Sequence, residues 1–207
     1  MNTIELPPPA PGEPESLQFY RKLLDERKVE TAKIVESLPD SRPLVLEIGC
    51  GHGHFLASVA AKDPNRYYVG IDVAQGRIQR AKRKSTLLKI PNLEFHLADA
   101  RLFLSFLNPR QLSQIFVLFP DPFPKERQKK HRLMQDEFLL SCHRVLNTGG
   151  NLFFRSDVFA YFQEVLVWMK QHPHLFEPVS SEIWPDAETT VFEKRAENVH
   201  SLVFAKK

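Results

Sequence analysis

A short apolar run, Leu44 to Ile48, broken only by Glu47, leads directly into Gly49-Cys50-Gly51-His52-Gly53, and helix-compatible sequence resumes at His54. An apolar run this short, closed by a turn, reads as a strand buried on both faces. Such a strand needs a layer of helices on each side. The rest of the chain supplies the pattern. Strands are expected at Leu44–Ile48, Tyr67–Ile71, Leu93–Leu97, Gln114–Phe119 and Leu152–Arg155. Helices are expected between them at His54–Lys62, Ala74–Leu88, Arg101–Leu107 and Arg132–Leu146, with Phe159–Gln171 after the fifth strand. Asn147-Thr148-Gly149-Gly150 reads as a helix stop. Five strand–helix alternations predict an α/β fold, a doubly wound and mostly parallel sheet. An amphipathic N-terminal helix over Ser16–Leu38 precedes it. After Pro173 the alternation fades, leaving one further strand over Val199–Ala205.

A chain of 207 residues fits one domain, expected over residues 15–207. Residues 1–14 hold five prolines and read as a flexible tail. No stretch approaches the roughly 20 apolar residues of a membrane span, and Met1 to Glu5 lacks the features of a secretion signal. The two cysteines, Cys50 and Cys142, cannot build a disulfide framework or a closed zinc site, which points to a reducing cytoplasm. His52/His54 and His172/His174 lack helical i, i+4 spacing or a cysteine partner, so no metal is expected.

The three glycines let the backbone turn sharply and a ligand approach closely. Ligands of open α/β sheets sit beyond the carboxyl ends of the strands, where this loop falls. Its spacing is G-x-G-x-G; a nicotinamide oxidoreductase predicts G-x-G-x-x-G. The second strand ends in Asp72, 19 residues after Gly53 (72 − 53). A carboxylate there accepts bonds from ribose hydroxyls. Asp99 follows the third strand tip, completing an adenosine-shaped cleft. Helix N-capping is the structural alternative for Asp72 and Asp99. Glu47, at the end of a buried strand, needs a partner: a ligand cation or a backbone amide.

The fourth strand ends in Phe119-Pro120-Asp121-Pro122-Phe123-Pro124-Lys125. Three prolines fix the backbone around Asp121, either to hold a reacting group or simply to stiffen a turn. Lys125 to Arg132 carries five Lys/Arg in eight residues, and so does Arg77 to Lys84. On a chain of net charge +3, two compact clusters suggest a docked polyanion, or two solvated helix faces.

Across about residues 40–207 the chain resembles the bacterial tRNA (guanine-N7-)-methyltransferases. The resemblance is carried by Leu46 to Gly53, by Phe119 to Lys125 and by Thr190-Val191-Phe192-Glu193. It implies a Rossmann-like class I methyltransferase fold and methylation of N7 of a variable-loop guanosine in tRNA. It implies S-adenosyl-L-methionine held at Glu47, Asp72, Asp99 and Asp121, with Gly49, Gly51 and Gly53 forming the loop. Asp121 is the implied catalytic residue. Lys125, Asp157, Thr190, Val191, Phe192 and Glu193 form the implied substrate site. Arg127, Lys129, Lys130 and Arg132 are expected to hold RNA phosphates. The chain departs from the family pattern at Phe123, where tryptophan is usual, and at Val191, where lysine is usual. Taken alone, Asp157 reads as a helix cap beside Ser156, and Glu193 as a partner of Arg195 or a solvated side chain. A methyltransferase for another RNA, a protein or a small molecule would share the glycine loop without the proline motif. A non-enzymatic RNA-binding protein would show no cofactor affinity.

Overall fold

The computed structural model describes residues 14–186, 193–194 and 196–207. The tail read at the N-terminus therefore lies, but for Pro14, outside the described residues. The elements are α1 (Glu15–Glu36), β1 (Leu44–Ile48), α2 (His54–Lys62), β2 (Tyr67–Asp72), α3 (Gln75–Leu88), β3 (Leu93–Leu97), α4 (Ala100–Phe106) and β4 (Leu112–Leu118). A 3-10 turn (Glu126–His131) leads to α5 (Asp136–Val145), β5 (Leu146–Ser156), α6 (Phe159–Gln171), β6 (Phe176–Pro178), a second 3-10 turn (Ser181–Ile183) and β7 (His200–Lys206).

The seven strands form one sheet in the order β3-β2-β1-β4-β5-β7-β6. β1 to β5 are parallel; β7 runs antiparallel to β5 and β6. The expected doubly wound sheet is thus present. Its switch point lies between β1 and β4, which both take crossovers to opposite sides, and that places the glycine loop beside the proline loop.

Strand side chains alternate between two cores. Leu44, Leu46, Ile48, Ile115 and Val117 face a layer built from α1, α4, α5 and α6, with Phe103, Phe138, Tyr161 and Val165 among its buried members. Val45, Phe116 and Phe153 face the opposite layer, where Phe55, Leu56, Ile78 and Ala81 come from α2 and α3. Beyond α2 this second face is closed by Trp184, whose ring lies 5.1 Å from Phe153 and 6.1 Å from Phe116.

Two boundaries differ from the sequence expectation by four residues or more. α5 begins at Asp136, not Arg132, because the intervening backbone is used elsewhere: the Met134 amide donates to the Tyr161 hydroxyl (2.9 Å) and the Gln135 amide to Leu133 O (2.9 Å). β5 begins at Leu146, six residues before the predicted start. Leu146 pairs with Leu112 and Asn151 with Gln114, so residues 147–150 bulge out within the strand. A Cβ on Gly150 would fall 2.9 Å from Asn147 O and 3.0 Å from Ser113 O. The helix stop is real, but it opens a strand directly. β6, three residues long, went unread because it carries no period of its own.

Candidate active site

Gly49, Gly51 and Gly53 all take positive φ, at 74°, 55° and 69°. This is the left-handed region that other residues enter at a cost. The loop folds back onto the end of β2. Gly49 and Cys50 amides donate to Ile71 O (2.9 and 3.0 Å), the Gly51 amide to Asp72 Oδ2 (3.0 Å) and the Gly53 amide to Cys50 O (2.9 Å). Four of the five loop amides are therefore spent inside the protein. A pyrophosphate cradle needs such amides free, and this loop offers few. At Gly49 and Gly51 an added Cβ would meet nothing within 4 Å, leaving bare backbone open to a ligand. Gly53 differs: its Cβ would fall 2.4 Å from Phe95 Cζ. Its missing Cβ leaves room for the Phe95 ring under the loop.

Carboxyl groups sit at or just beyond four neighbouring strand tips. Asp72 is buried; Oδ2 accepts from Gly51, Oδ1 accepts from the Ala74 amide (2.8 Å), and Arg77 Nη1 lies 3.7 Å away. It braces the loop and the α3 entry, though the helix itself starts from Ala74 without a side-chain cap. Asp99 does cap α4, with Oδ1 accepting from the Leu102 amide (3.0 Å), and its residue is exposed. Helix N-capping thus holds for Asp99 and not for Asp72. A carboxylate has more acceptor positions than these bonds use.

Glu47 is 3 % exposed, and its Oε2 is buried without a hydrogen-bond partner. Burial, with the Asp72 carboxylate adding to it, pushes its carboxyl up to about 8, against the opposing Leu56 amide. An unpartnered buried carboxyl oxygen is expensive. It lies beside the open glycine backbone, and an added donor would satisfy it. The thiol of neighbouring Cys50 is raised too, by burial and then by Glu47 and Asp72. It is the protonated form, not a reactive thiolate.

The proline loop is strained. Phe119 and Phe123 have φ of 51° and 41°, each costing about 1–2 kcal/mol in a non-glycine residue. Between them Asp121 is exposed at the β4 tip. Strain of this kind persists only where other contacts over-determine it. One tether is the Phe119 amide on Arg155 O (2.8 Å). The other is Arg132, and here the structure corrects the sequence reading. Arg132 is 3 % exposed and not available to a phosphate. Its guanidinium donates to Pro122 O (2.6 Å) and Phe123 O (3.4 Å), pairs with Glu164 on α6 and lies 4.8 Å from the Tyr161 ring centre. It staples the motif to α6.

We expect Arg132→Met to leave both carbonyls unsatisfied and to cost about 3 kcal/mol of stability, lowering Tm by roughly 6–12 °C. A thermal melt checks this, and an unchanged Tm would show the staple to be idle.

Lys129 also differs from expectation, since Glu126 (2.8 Å) and Glu164 (3.4 Å) hold its ammonium. Lys125, Arg127 and Lys130 are exposed and make no ion pair among the described residues. Asp157 is exposed past the β5 tip, and it is Ser156 whose hydroxyl accepts from the Val158 amide (3.1 Å). Thr190, Val191 and Phe192 lie outside the described residues. Glu193 pairs with Arg155 Nη1 (2.7 Å), a partner 38 residues distant; Arg195 lies outside the described residues. Arg155 in turn bonds Ser201 (3.0 Å) and covers the Trp184 ring at 4.0 Å. Glu193 is thereby tied to Arg155 near the end of β5. The sequence offered no sign of Arg132 or Arg155 as organisers of the site. Among the described residues no group of three His, Cys, Asp or Glu side chains could hold a metal, and no helix is long and apolar enough to cross a membrane.

Comparison with known proteins agrees with this geometry. A family model described as "Putative methyltransferase" matches residues 41–205. The tRNA (guanine-N(7)-)-methyltransferase of Rubrobacter xylanophilus is 32% identical over 186 residues, 81% of this chain and 83% of the relative. That of Lactobacillus gasseri is 32% identical over 170 residues, 81% and 76%. Among solved structures, an rRNA methylase from Streptococcus thermophilus superposes with a TM-score of 0.54 at 14% identity, covering 86% of this chain and 93% of its own. A precorrin-6y C5,15-methyltransferase from Geobacter metallireducens gives 0.56 at 14%, covering 88% and 89%. These two share the fold alone. By sequence over most of its length, the chain belongs to the tRNA (guanine-N7-)-methyltransferase family.

Proposed function

We propose that this protein is a single-domain, cytoplasmic enzyme that transfers a methyl group from S-adenosyl-L-methionine to N7 of a variable-loop guanosine in tRNA. The observation that carries the reading is the unpartnered Glu47 carboxyl beside open backbone at Gly49 and Gly51, at the sheet's switch point. A dinucleotide would bring two phosphates to a loop flanked by Glu47 and Asp72 with few free amides. An amino-acid-bearing nucleoside brings an ammonium group and a ribose instead, and the residues present fit those. Glu47 would hold the ammonium and Asp72 the ribose hydroxyls. Asp99 would border the base, and Asp121 would close the cleft from β4. Bound there, the cofactor supplies a methyl group already activated on a sulfonium.

Guanine N7 is an in-plane lone pair with no proton to remove. The protein's task is then alignment, which contributes roughly 7–11 kcal/mol of barrier lowering in well-oriented systems. Asp121 orients the guanine through its N–H edge and offsets positive charge developing on the alkylated ring. Asp157, just past the end of β5, and Glu193, tied to Arg155 near that end, line the substrate side with Lys125. The neighbouring residues Thr190, Val191 and Phe192 belong to the same proposed substrate site. Phe123 presents a ring next to that of His131 (5.8 Å) as a wall for the base. Exposed Lys125, Arg127 and Lys130 take RNA phosphates, with Lys129 engaged only if it leaves its two glutamates.

The test is nucleoside analysis of tRNA after incubation with purified protein and labelled S-adenosyl-L-methionine. Label in 7-methylguanosine is expected; label in another nucleoside, or none, overturns the reading. Neutralising Lys125 and Lys130 to glutamine should weaken tRNA binding and flatten its dependence on salt by roughly 0.7–0.9 per lost phosphate contact. Unchanged binding would remove them from the RNA contact.

A further inference from the structure

Helix α3 carries charges in a way no other helix here does. Its sequence, Gln75 to Leu88, holds Arg77, Arg80, Lys82, Arg83 and Lys84 and no acidic residue. At 100° per residue, Arg83, Arg80, Lys84 and Arg77 fall within an arc of about 120°. That arc flanks the buried stripe of Ile78 and Ala81. On α1, by contrast, Lys22 and Lys28 meet Glu26 and Asp25 at helical spacing, which is how a solvated helix face neutralises itself. The α3 cations are offered little of this. Arg77 reaches the Asp72 carboxylate at 3.7 Å, and its side chain is 52% exposed. Arg80 Nη1 lies 3.4 Å from His52 Nε2, and Lys84 Nζ bonds His54 Nδ1, both imidazoles of the glycine loop and α2 start. Burial and then the nearby Arg80, Arg77 and Lys84 push the His52 pKa down, which suits it to accept from Arg80. Arg83 is exposed and makes no ion pair among the described residues. Like charges at i, i+3 and i, i+4 repel, and nothing in the fold requires them.

Position supplies the partner. α3 leaves the tip of β2, and the Lys125–Lys130 segment follows the tip of β4; β1 and its glycine loop stand between them in the sheet. Two strand spacings separate the two tips by roughly 10 Å. A polyanion resting over the cleft would meet both groups of cations.

We infer that the Arg77–Lys84 stripe of α3 is a second RNA-backbone contact, gripping the substrate on the side of the glycine loop opposite Lys125 and Lys130. The inference rests on the tRNA reading above and adds where the RNA lies: across the cofactor loop rather than wholly to one side of it. Contacts of this type carry no sequence information and register chiefly in salt dependence.

The test combines Arg80→Gln with Arg83→Gln, leaving Arg77 beside Asp72 and Lys84 beside His54 in place. tRNA affinity is measured at several salt concentrations for wild type and variant, with S-adenosyl-L-methionine affinity measured alongside. The expected result is about a tenfold weaker Kd for tRNA near physiological salt and a salt slope smaller by roughly 1.5, from two lost contacts. Cofactor affinity should stay within twofold. Unchanged tRNA affinity and slope overturn the inference, and if the wild type still methylates tRNA the functional reading survives. Weaker cofactor binding with unchanged tRNA binding also overturns it, showing a stripe that props the loop. So does lost binding to anionic phospholipid vesicles with tRNA binding intact. A wild type that neither binds nor methylates tRNA removes both readings together.

Discussion

Asp121→Ala is expected to lower kcat/KM on tRNA by about a thousandfold, roughly 4 kcal/mol of transition-state stabilisation, the scale of a preorganised polar group removed from a reacting centre. The loss should come without instability. Asp121 is exposed at the β4 tip, so its removal leaves the packing of the fold in place, and a thermal melt should match wild type. Phe119 and Phe123 are held in the left-handed region, and the Arg132 guanidinium fixes the carbonyls of Pro122 and Phe123 from behind. A relaxed loop would place Asp121 in several orientations; the staple selects one. Asp121→Asn keeps the shape and removes the charge. If it falls as far as alanine, offset of the developing positive charge is the larger part of the role; partial activity assigns more to orientation. Wild-type kcat/KM in the alanine variant would remove Asp121 from the chemistry altogether.

The order of elements was open to reading because each rests on local chemistry. β1, α2, β3 and α6 begin and end where the apolar pattern and the flanking glycine and proline residues put them. The carboxylates at the strand tips were legible for the same reason: position in a parallel strand fixes which end of the sheet a residue reaches. What the sequence hides is pairing across distance. Arg132 lies in a run of cations that reads as surface, yet it is the buried member, because Glu164 and two loop carbonyls wait for it from elements 32 and about 10 residues away. Glu193 finds Arg155 across 38 residues. Gly53 and Gly70 look like loop and strand glycines, but the ring of Phe95 fills the space in front of both. In each case the deciding partner comes from another layer, and no period of 2 or 3.6 encodes it.

The affinity for S-adenosyl-L-methionine should rise by close to tenfold from pH 6 to 7 and then level off towards pH 8, about twentyfold in all. The sign follows from Glu47. Its carboxyl titrates at about 8 in the folded protein, so below that pH the free site holds a neutral acid. An ammonium partner requires the carboxylate, so binding there releases a proton and strengthens as pH rises. Above about 8 the ligand's own amino group, ordinarily near 7.7–8.0 in an α-amine, loses its charge and the affinity turns down. The same linkage acts on the ligand-free fold in the opposite sense. A carboxyl raised from 4.5 to about 8 is unpenalised below pH 4.5, and its ionisation costs about 5 kcal/mol once pH passes 8. Glu47→Gln removes that charge. The variant should therefore melt higher than wild type at pH 8.5 while binding the cofactor about 10–100-fold more weakly at pH 8, and its affinity should lose the rising limb. Calorimetry in buffers of different ionisation enthalpy reads the released proton directly. A wild-type affinity flat between pH 6 and 8, with no proton released, would mean that the buried carboxyl of Glu47 does not meet the ammonium group and that another element of the cleft holds it.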